Sequence, residues 1–176
     1  GLSNIAHGEI ADMDFSEVIS QPGVVGVLTA QDIPGRNDIS PTSLNDEAGC
    51  AESKVEFWGQ PVFAVVAQSR DAARRAAKRA KITYCPLPHA SDIDAARQAG
   101  YPNVTAPLKL ERGEVETALK RATHRLQGQF RIGGQDHMYL EGHIAFAMPG
   151  EDEEVTVFSS TQHPSEAQHM VAHVLG

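Results

Sequence analysis

Gln60 to Tyr84 reads QPVFAVVAQSRDAARRAAKRAKITY. Val62 to Ala67 is an unbroken β-rich run, which predicts a central strand covered on both faces. Ser69 stands where a helix amino-terminal cap belongs. Ala72, Ala73, Ala76, Ala77 and Ala80 then recur on one face of a helix predicted over Arg70 to Lys81. Such small side chains let a helix approach a sheet closely. Ile82, Thr83 and Tyr84 predict a returning strand, so the unit reads as strand, helix, strand with a right-handed crossover and parallel pairing. Pro86 and Pro88 end it, and the fold class that follows is mixed, α/β (α+β).

Upstream, Gly1 to Ile10 reads as the inside of a strand. Asp14 followed three positions later by Glu17 is a capping-box signal for a short helix ending near Ser20, before Pro22 and Gly23. Val24 to Thr29 predicts a buried strand. Asp32 to Ser53 contains Pro34, Gly35, Asn37, Asp38, Pro41, Asn45 and Gly49, and is read as a long surface loop.

Downstream, Ser91 and Asp94 repeat the cap-plus-acid signal for a helix through Ala99, stopped by Gly100. Tyr101 to Pro107 is a linker by composition. Gly113 to Ala122 predicts a helix with Val115, Ala118, Leu119 and Ala122 at core spacing, and His124 to Ile132 a long strand. Extended chain resumes from Tyr139 to Met148. Gly150, Glu151, Asp152, Glu153 and Glu154 suit a solvated hairpin tip before a strand over Val155 to Ser160. Pro164 suits the first turn of a last helix whose Ala167, Met170, Val171 and Val174 face inward.

At 176 residues with 41% hydrophobic content, the chain can bury a core as one domain or as one small domain plus part of another. No apolar run approaches the ~20 residues of a membrane-spanning helix. The two cysteines, Cys50 and Cys85, have no metal-ligand spacing and suit a reducing cytoplasm. Six Lys/Arg against a single Asp between Ser69 and Lys81, in a chain of net charge −8, read as one solvated basic helix face or as a subunit contact. An acidic molecule of this kind is a poor nucleic-acid binder. No Walker loop, dinucleotide glycine fingerprint, Gly-x-Ser-x-Gly elbow or iron–sulfur cysteine cluster is present.

The polar chemistry concentrates at Arg131 to Glu141, RIGGQDHMYLE. Gly133 and Gly134 let the backbone bend or approach another group closely. In an extended segment Gln135, His137, Tyr139 and Glu141 would share one face, which suits either a site or a bulged polar edge strand. His169 and His173 stand four apart on the last predicted helix, a spacing able to chelate zinc, but no carboxylate accompanies them, so solvent-facing histidines are the simpler reading.

GGQDHMYLE, together with FSSTQHPSEAQHMVAHVLG over Phe158 to Gly176, resembles the molybdopterin-binding part of the xanthine dehydrogenase and aldehyde oxidase family. The upstream stretches Ala6 to Ile10, Pro22 to Val25, Leu28 to Gly35 and Gly59 to Val62 look like that family's a/b hammerhead domain. Asp136 and Met138 stand where the family usually has Glu and Phe, and Tyr84-Cys85 where it has Tyr-Glu. The resemblance implies a hammerhead domain over residues 1–100, a linker and connecting helix over 101–122, and the first strands and helix of a molybdopterin-binding domain over 123–176, with family sequence continuing beyond both ends. It implies that the amide of Gln135 hydrogen-bonds an oxo ligand of molybdenum and that Gly133 and Gly134 permit the backbone approach. No catalytic group and no metal ligand falls within this chain, because the family's glutamate base and substrate-positioning arginine lie further on, so the chain alone is expected to be inactive. The implied protein is a cytoplasmic oxidoreductase of purine catabolism that hydroxylates xanthine or hypoxanthine and passes electrons to iron–sulfur and FAD centres on a partner subunit in a hetero-oligomer. Two alternatives stand beside it, a structural assembly module of the same subunit and an aldehyde oxidase-type hydroxylase.

Overall fold

The computed structural model describes residues 1–41 and 44–176; Thr42 and Ser43, within the predicted loop over 32–53, lie outside the described residues. Two compact units are formed, one by Gly1–Ala99 with Thr161–Gly176 and the other by Gly100–Ser160.

In the first unit, Leu2 makes only an isolated antiparallel bridge to Pro61, so the expected opening strand starts later, as β1 over Gly8–Asp14. The short helix α1 spans Ser16–Ile19, and Asp14 starts it by accepting the Ser16 N–H at 2.9 Å. Hydrogen bonds from the Ser16 hydroxyl and amide hold the Asp14 carboxyl below its usual range. Glu17 does not close a capping box there. The reciprocal box forms instead at Thr29 and Asp32, around a single 3-10 turn at Ala30–Asp32. Between them β2, Val24–Leu28, matches its predicted position, but Val25 and Leu28 are exposed, so the strand buries one face only.

Beyond the loop, β3 is the pair Lys54–Val55 and β4 covers Ala64–Ala67. The buried part of the apolar run is Val62 and Phe63, just before β4. Within β4 exposure alternates, and among the described residues its only partner is β2, antiparallel, so the expected central strand is one of a two-stranded sheet. Helix α2 covers Arg70–Ala77, ends one turn earlier than predicted, and is capped by the Ser69 hydroxyl accepting the Ala72 N–H at 3.2 Å. Ala72 and Ala76 are buried and the neighbouring alanines half-buried, as the stripe required. Lys78 to Lys81 leave the helix, and β5 runs over Lys81–Pro86.

The predicted parallel crossover is not what forms. β5 pairs antiparallel with β1, from Gly8 opposite Pro86 to Asp14 opposite Lys81, with a bulge between Ile10 and Asp12. β4 and β5 therefore lie in different sheets, β2-β4 and β3-β1-β5. The reason is one of faces. Ile10 and Met13 of β1 sit opposite Tyr84 and Ile82 of β5, so antiparallel pairing in this register matches two inward apolar pairs while the polar alternates face water. Both sheets pack on one core, Ala51, Val55, Val62 and Phe63, with Val27 and Val65 coming from the β2-β4 side. The Lys81–Glu17 ion pair at 2.5 Å is exposed and screened by water, and adds little to this burial.

Helix α3, Ile93–Gln98, is capped by Asp92 rather than Ser91, through the Ala95 N–H at 2.8 Å, and Gly100 at φ 70 turns the chain away. Cys50 is half-buried with its Sγ donating to the Val62 carbonyl at 2.9 Å, and burial pushes its thiol up from the ordinary range. Cys85 is exposed. Thiol alkylation followed by mass spectrometry at neutral pH is expected to modify Cys85 first, with Cys50 slower because a raised pKa leaves less thiolate; equal rates would count against the buried geometry at Cys50.

In the second unit, α4 spans Val115–Arg121, but Val115 and Leu119 are more than half exposed and the expected core spacing meets no core. The predicted strand over 124–132 does not form: no described strand lies beside it to take its backbone hydrogen bonds, and Leu126, Phe130 and Ile132 are exposed. β6, Ala145–Pro149, pairs antiparallel with β7, Val155–Ser159, through the expected acidic tip. Asp152 and Glu153 both adopt positive φ in that turn, and the Glu154 carbonyl accepts the Gly150 N–H at 2.6 Å. The last helix, α5 over Pro164–Leu175, half-buries Ala167, Met170, Val171 and Val174 as predicted and belongs to the first unit.

Candidate functional site

Residues 131–143 are irregular and exposed. Met138 adopts φ 51, and Asp136 Oδ1 accepts the Met138 N–H at 2.7 Å, a local Asx turn. That kink ends the alternation: Gln135, His137, Tyr139 and Glu141 do not line one strand face. Methionine carries no turn signal, so the sequence pattern could not announce it.

The kink brings a different pair together. The Tyr139 hydroxyl lies 2.7 Å from His143 Nε2, and the two rings stack with centroids 5.0 Å apart. Either group can be the donor, according to the imidazole tautomer. This pair was missed in the sequence, where the only cue is the spacing of four across Gly142. Tyr139 and His143, with Asp136, Met138, Leu140, Glu141 and Gly142, line an open cleft of about 570 Å³.

Gln135 stands just before the cleft residues, and among the described residues its side-chain amide has no hydrogen-bond partner. A Cβ placed on Gly133 or Gly134 would meet nothing within 4 Å, and neither glycine has positive φ. Among the described residues nothing therefore demands glycine at either position. The exposed neutral amide of Gln135 has the chemistry to hydrogen-bond a polar group from outside the segment. Among the described residues no three His, Cys, Asp or Glu side chains are placed to hold a metal ion, and His169 and His173 are both exposed on α5. No helix among them is long and apolar enough to cross a membrane.

Residues 1–88 match the aldehyde oxidase and xanthine dehydrogenase a/b hammerhead domain. The chain belongs to the xanthine dehydrogenase and aldehyde oxidase family. Residues 97–176 match the molybdopterin cofactor-binding domain, in the order the two sequence stretches suggested. The chain is 36% identical over 173 residues to a xanthine dehydrogenase of Dictyostelium discoideum, covering 97% of this chain and 12% of that protein. It is 39% identical over 176 residues to aldehyde oxidase 2 of Rattus norvegicus, covering 98% of this chain and 13% of that protein. Among solved structures, the aldehyde oxidoreductase from Desulfovibrio gigas superimposes with a TM-score of 0.87 at 25% identity, over 99% of this chain and 21% of that one. The mixed helix and strand architecture is thus that of the family, and the chain spans about an eighth of the length of these curated relatives.

Proposed function

We propose that this chain contributes one wall of the molybdenum cofactor site in a xanthine dehydrogenase-type hydroxylase acting on xanthine or hypoxanthine. The observation that carries the reading is the accessible, unpartnered amide of Gln135 after two glycines whose missing side chains would meet nothing, inside the stretch matched to the molybdopterin-binding domain. Gln135 would hold an oxo ligand of the molybdenum, and Gly133 and Gly134 would admit the backbone close to the cofactor. The cofactor, when bound, supplies the redox and oxygen-transfer chemistry. Gln135 orients by hydrogen bonding and, as an amide, neither takes nor gives a proton at any working pH. No residue of this chain is assigned the role of base, so the chain by itself is inactive in this reading. Electrons would pass to iron–sulfur and FAD centres on a partner subunit of a cytoplasmic hetero-oligomer serving purine catabolism. The domains would run over 1–100, 101–122 and 123–176. Identity to relatives of both names is similar, so an aldehyde oxidase-type substrate is the alternative within the family.

Phe146, Met148 and Phe158, exposed on one face of the β6-β7 hairpin, favour a second reading in which the segment serves assembly alone. A substitution separates the two. Gln135→Ala in the cofactor-loaded full-length enzyme is expected to lower kcat about tenfold, the size of one hydrogen bond lost from a polar site, with KM little changed. An unchanged kcat leaves the scaffold reading. Gln162→Ala is the companion variant, because Gln162 is a second exposed amide of the matched stretch, lying in sequence between Ser159 and Pro164. A loss of rate confined to Gln162→Ala would transfer the contact to that amide.

A further inference from the structure

The loop after the 3-10 turn reaches the carboxyl-terminal end of α5. The Gly35 N–H donates to the Val174 carbonyl at 2.9 Å and the Arg36 N–H to the His173 carbonyl at 2.7 Å. Both acceptors are backbone carbonyls of α5. Gly176 donates to the Ala172 carbonyl at 3.0 Å. Contact at Gly35 is so close that a Cβ there would stand 2.1 Å from the His173 oxygen, 2.7 Å from the Gly176 nitrogen and 2.9 Å from the Val174 oxygen. All three are backbone atoms, so no flexible side chain can move aside.

We propose that Gly35 and Arg36 form a backbone latch, and that this latch is what keeps α5 with the first unit. Gly35 lies inside the region matched to the hammerhead domain and α5 inside the region matched to the molybdopterin-binding domain. The latch therefore joins the two family regions through main-chain atoms, and glycine is required because only a residue without a Cβ brings both amides within reach. None of this depends on the cofactor reading of Gln135.

Hydrogen exchange in the full-length protein tests it. In Gly35→Ala, amides of Val171 to Leu175 are expected to exchange roughly ten- to hundredfold faster, the span that follows from two backbone hydrogen bonds lost, while those of β1 and β5 keep their rates. Gly26→Ala, where a Cβ would meet nothing within 4 Å, is expected to leave α5 at its original rate. Wild-type rates in α5 of a folded Gly35→Ala protein would overturn the latch, as would acceleration spread evenly over β1 and β5. Should Gly35→Ala not fold, the unsubstituted protein still decides: the Gly35 and Arg36 amides are expected to exchange as slowly as those of the last turn of α5. Exchange at the rate of the open linker around Asn103 would overturn it.

Discussion

Phe63→Ala is expected to destabilise the first unit by about 3–5 kcal/mol, the range for emptying a buried aromatic site. Phe63 is 5% exposed and belongs to the central cluster with Ala51, Val55 and Val62. Its ring meets that of Phe15 with centroids 4.9 Å apart and planes inclined by 56°, a favoured tilted contact. On another side the Gly1 nitrogen donates to the Phe63 carbonyl at 2.6 Å, and a Cβ on Gly1 would lie within 2.6 Å of three ring atoms. The cavity left by the ring would be lined by the Phe15 ring, the side chains of the cluster and the Gly1 backbone, so the cost depends on how far these relax inward. Since whole domains are stable by only about 5–15 kcal/mol, the substitution removes a large share of the total. Urea unfolding of the 176-residue chain should show the midpoint falling with the slope unchanged. Phe57→Ala is the contrast, because Phe57 is 55% exposed and its loss should shift the midpoint little. A shift below about 1 kcal/mol for Phe63→Ala would mean that the cluster around it is not the core.

What the sequence made legible was local, and what it hid was pairing at a distance. Helix α2 could be placed because Ser69 caps it with its own side chain and the alanine stripe records which face is covered. The hairpin tip at Gly150 to Glu154 was equally local, as was Pro164 at the start of α5. The partner of each strand was not. Nothing in Ile82-Thr83-Tyr84 points to Ile10 and Met13 some seventy residues earlier, and only the meeting of their apolar faces selects the antiparallel register. The same holds at the candidate site. Gln135, Gly133 and Gly134 are singled out by the family resemblance and stand accessible, but the face that alternation would have built is broken by Met138 in a left-handed conformation. In its place stands the Tyr139–His143 pair. The latch at Gly35 was hidden for a related reason. Pro34-Gly35 reads as a turn from sequence, while the need for glycine comes from α5, far along the chain.

Ser3→Ala should cost about 1–2 kcal/mol, although it removes one oxygen atom and leaves a side chain that fits the space. Ser3 and Gln60 are each 3% exposed, the two buried polar residues among those described. The Ser3 hydroxyl donates to the Phe57 carbonyl at 2.8 Å and accepts the N–H groups of Gly59 at 3.0 Å and Gln60 at 3.1 Å. Gly59 keeps a second acceptor in the Ser3 carbonyl at 3.1 Å, but the Gln60 N–H is left with the Phe57 carbonyl at 3.3 Å. The cost therefore falls on one weakened buried donor and one carbonyl that loses its hydroxyl donor. The turn so held needs Gly59, at φ 86, and carries Trp58 at 69% exposure. Trp58 is the single tryptophan of the chain, so its fluorescence reports the turn directly. In Ser3→Ala its anisotropy is expected to fall as the turn loosens, and the urea midpoint to drop with it; Ser3→Thr, which keeps a hydroxyl, should recover part of both. If anisotropy and midpoint stay at their original values in Ser3→Ala, the hydroxyl does not organise this turn, and the buried Gln60, whose Oε1 accepts the Glu56 N–H at 2.7 Å, holds it without help.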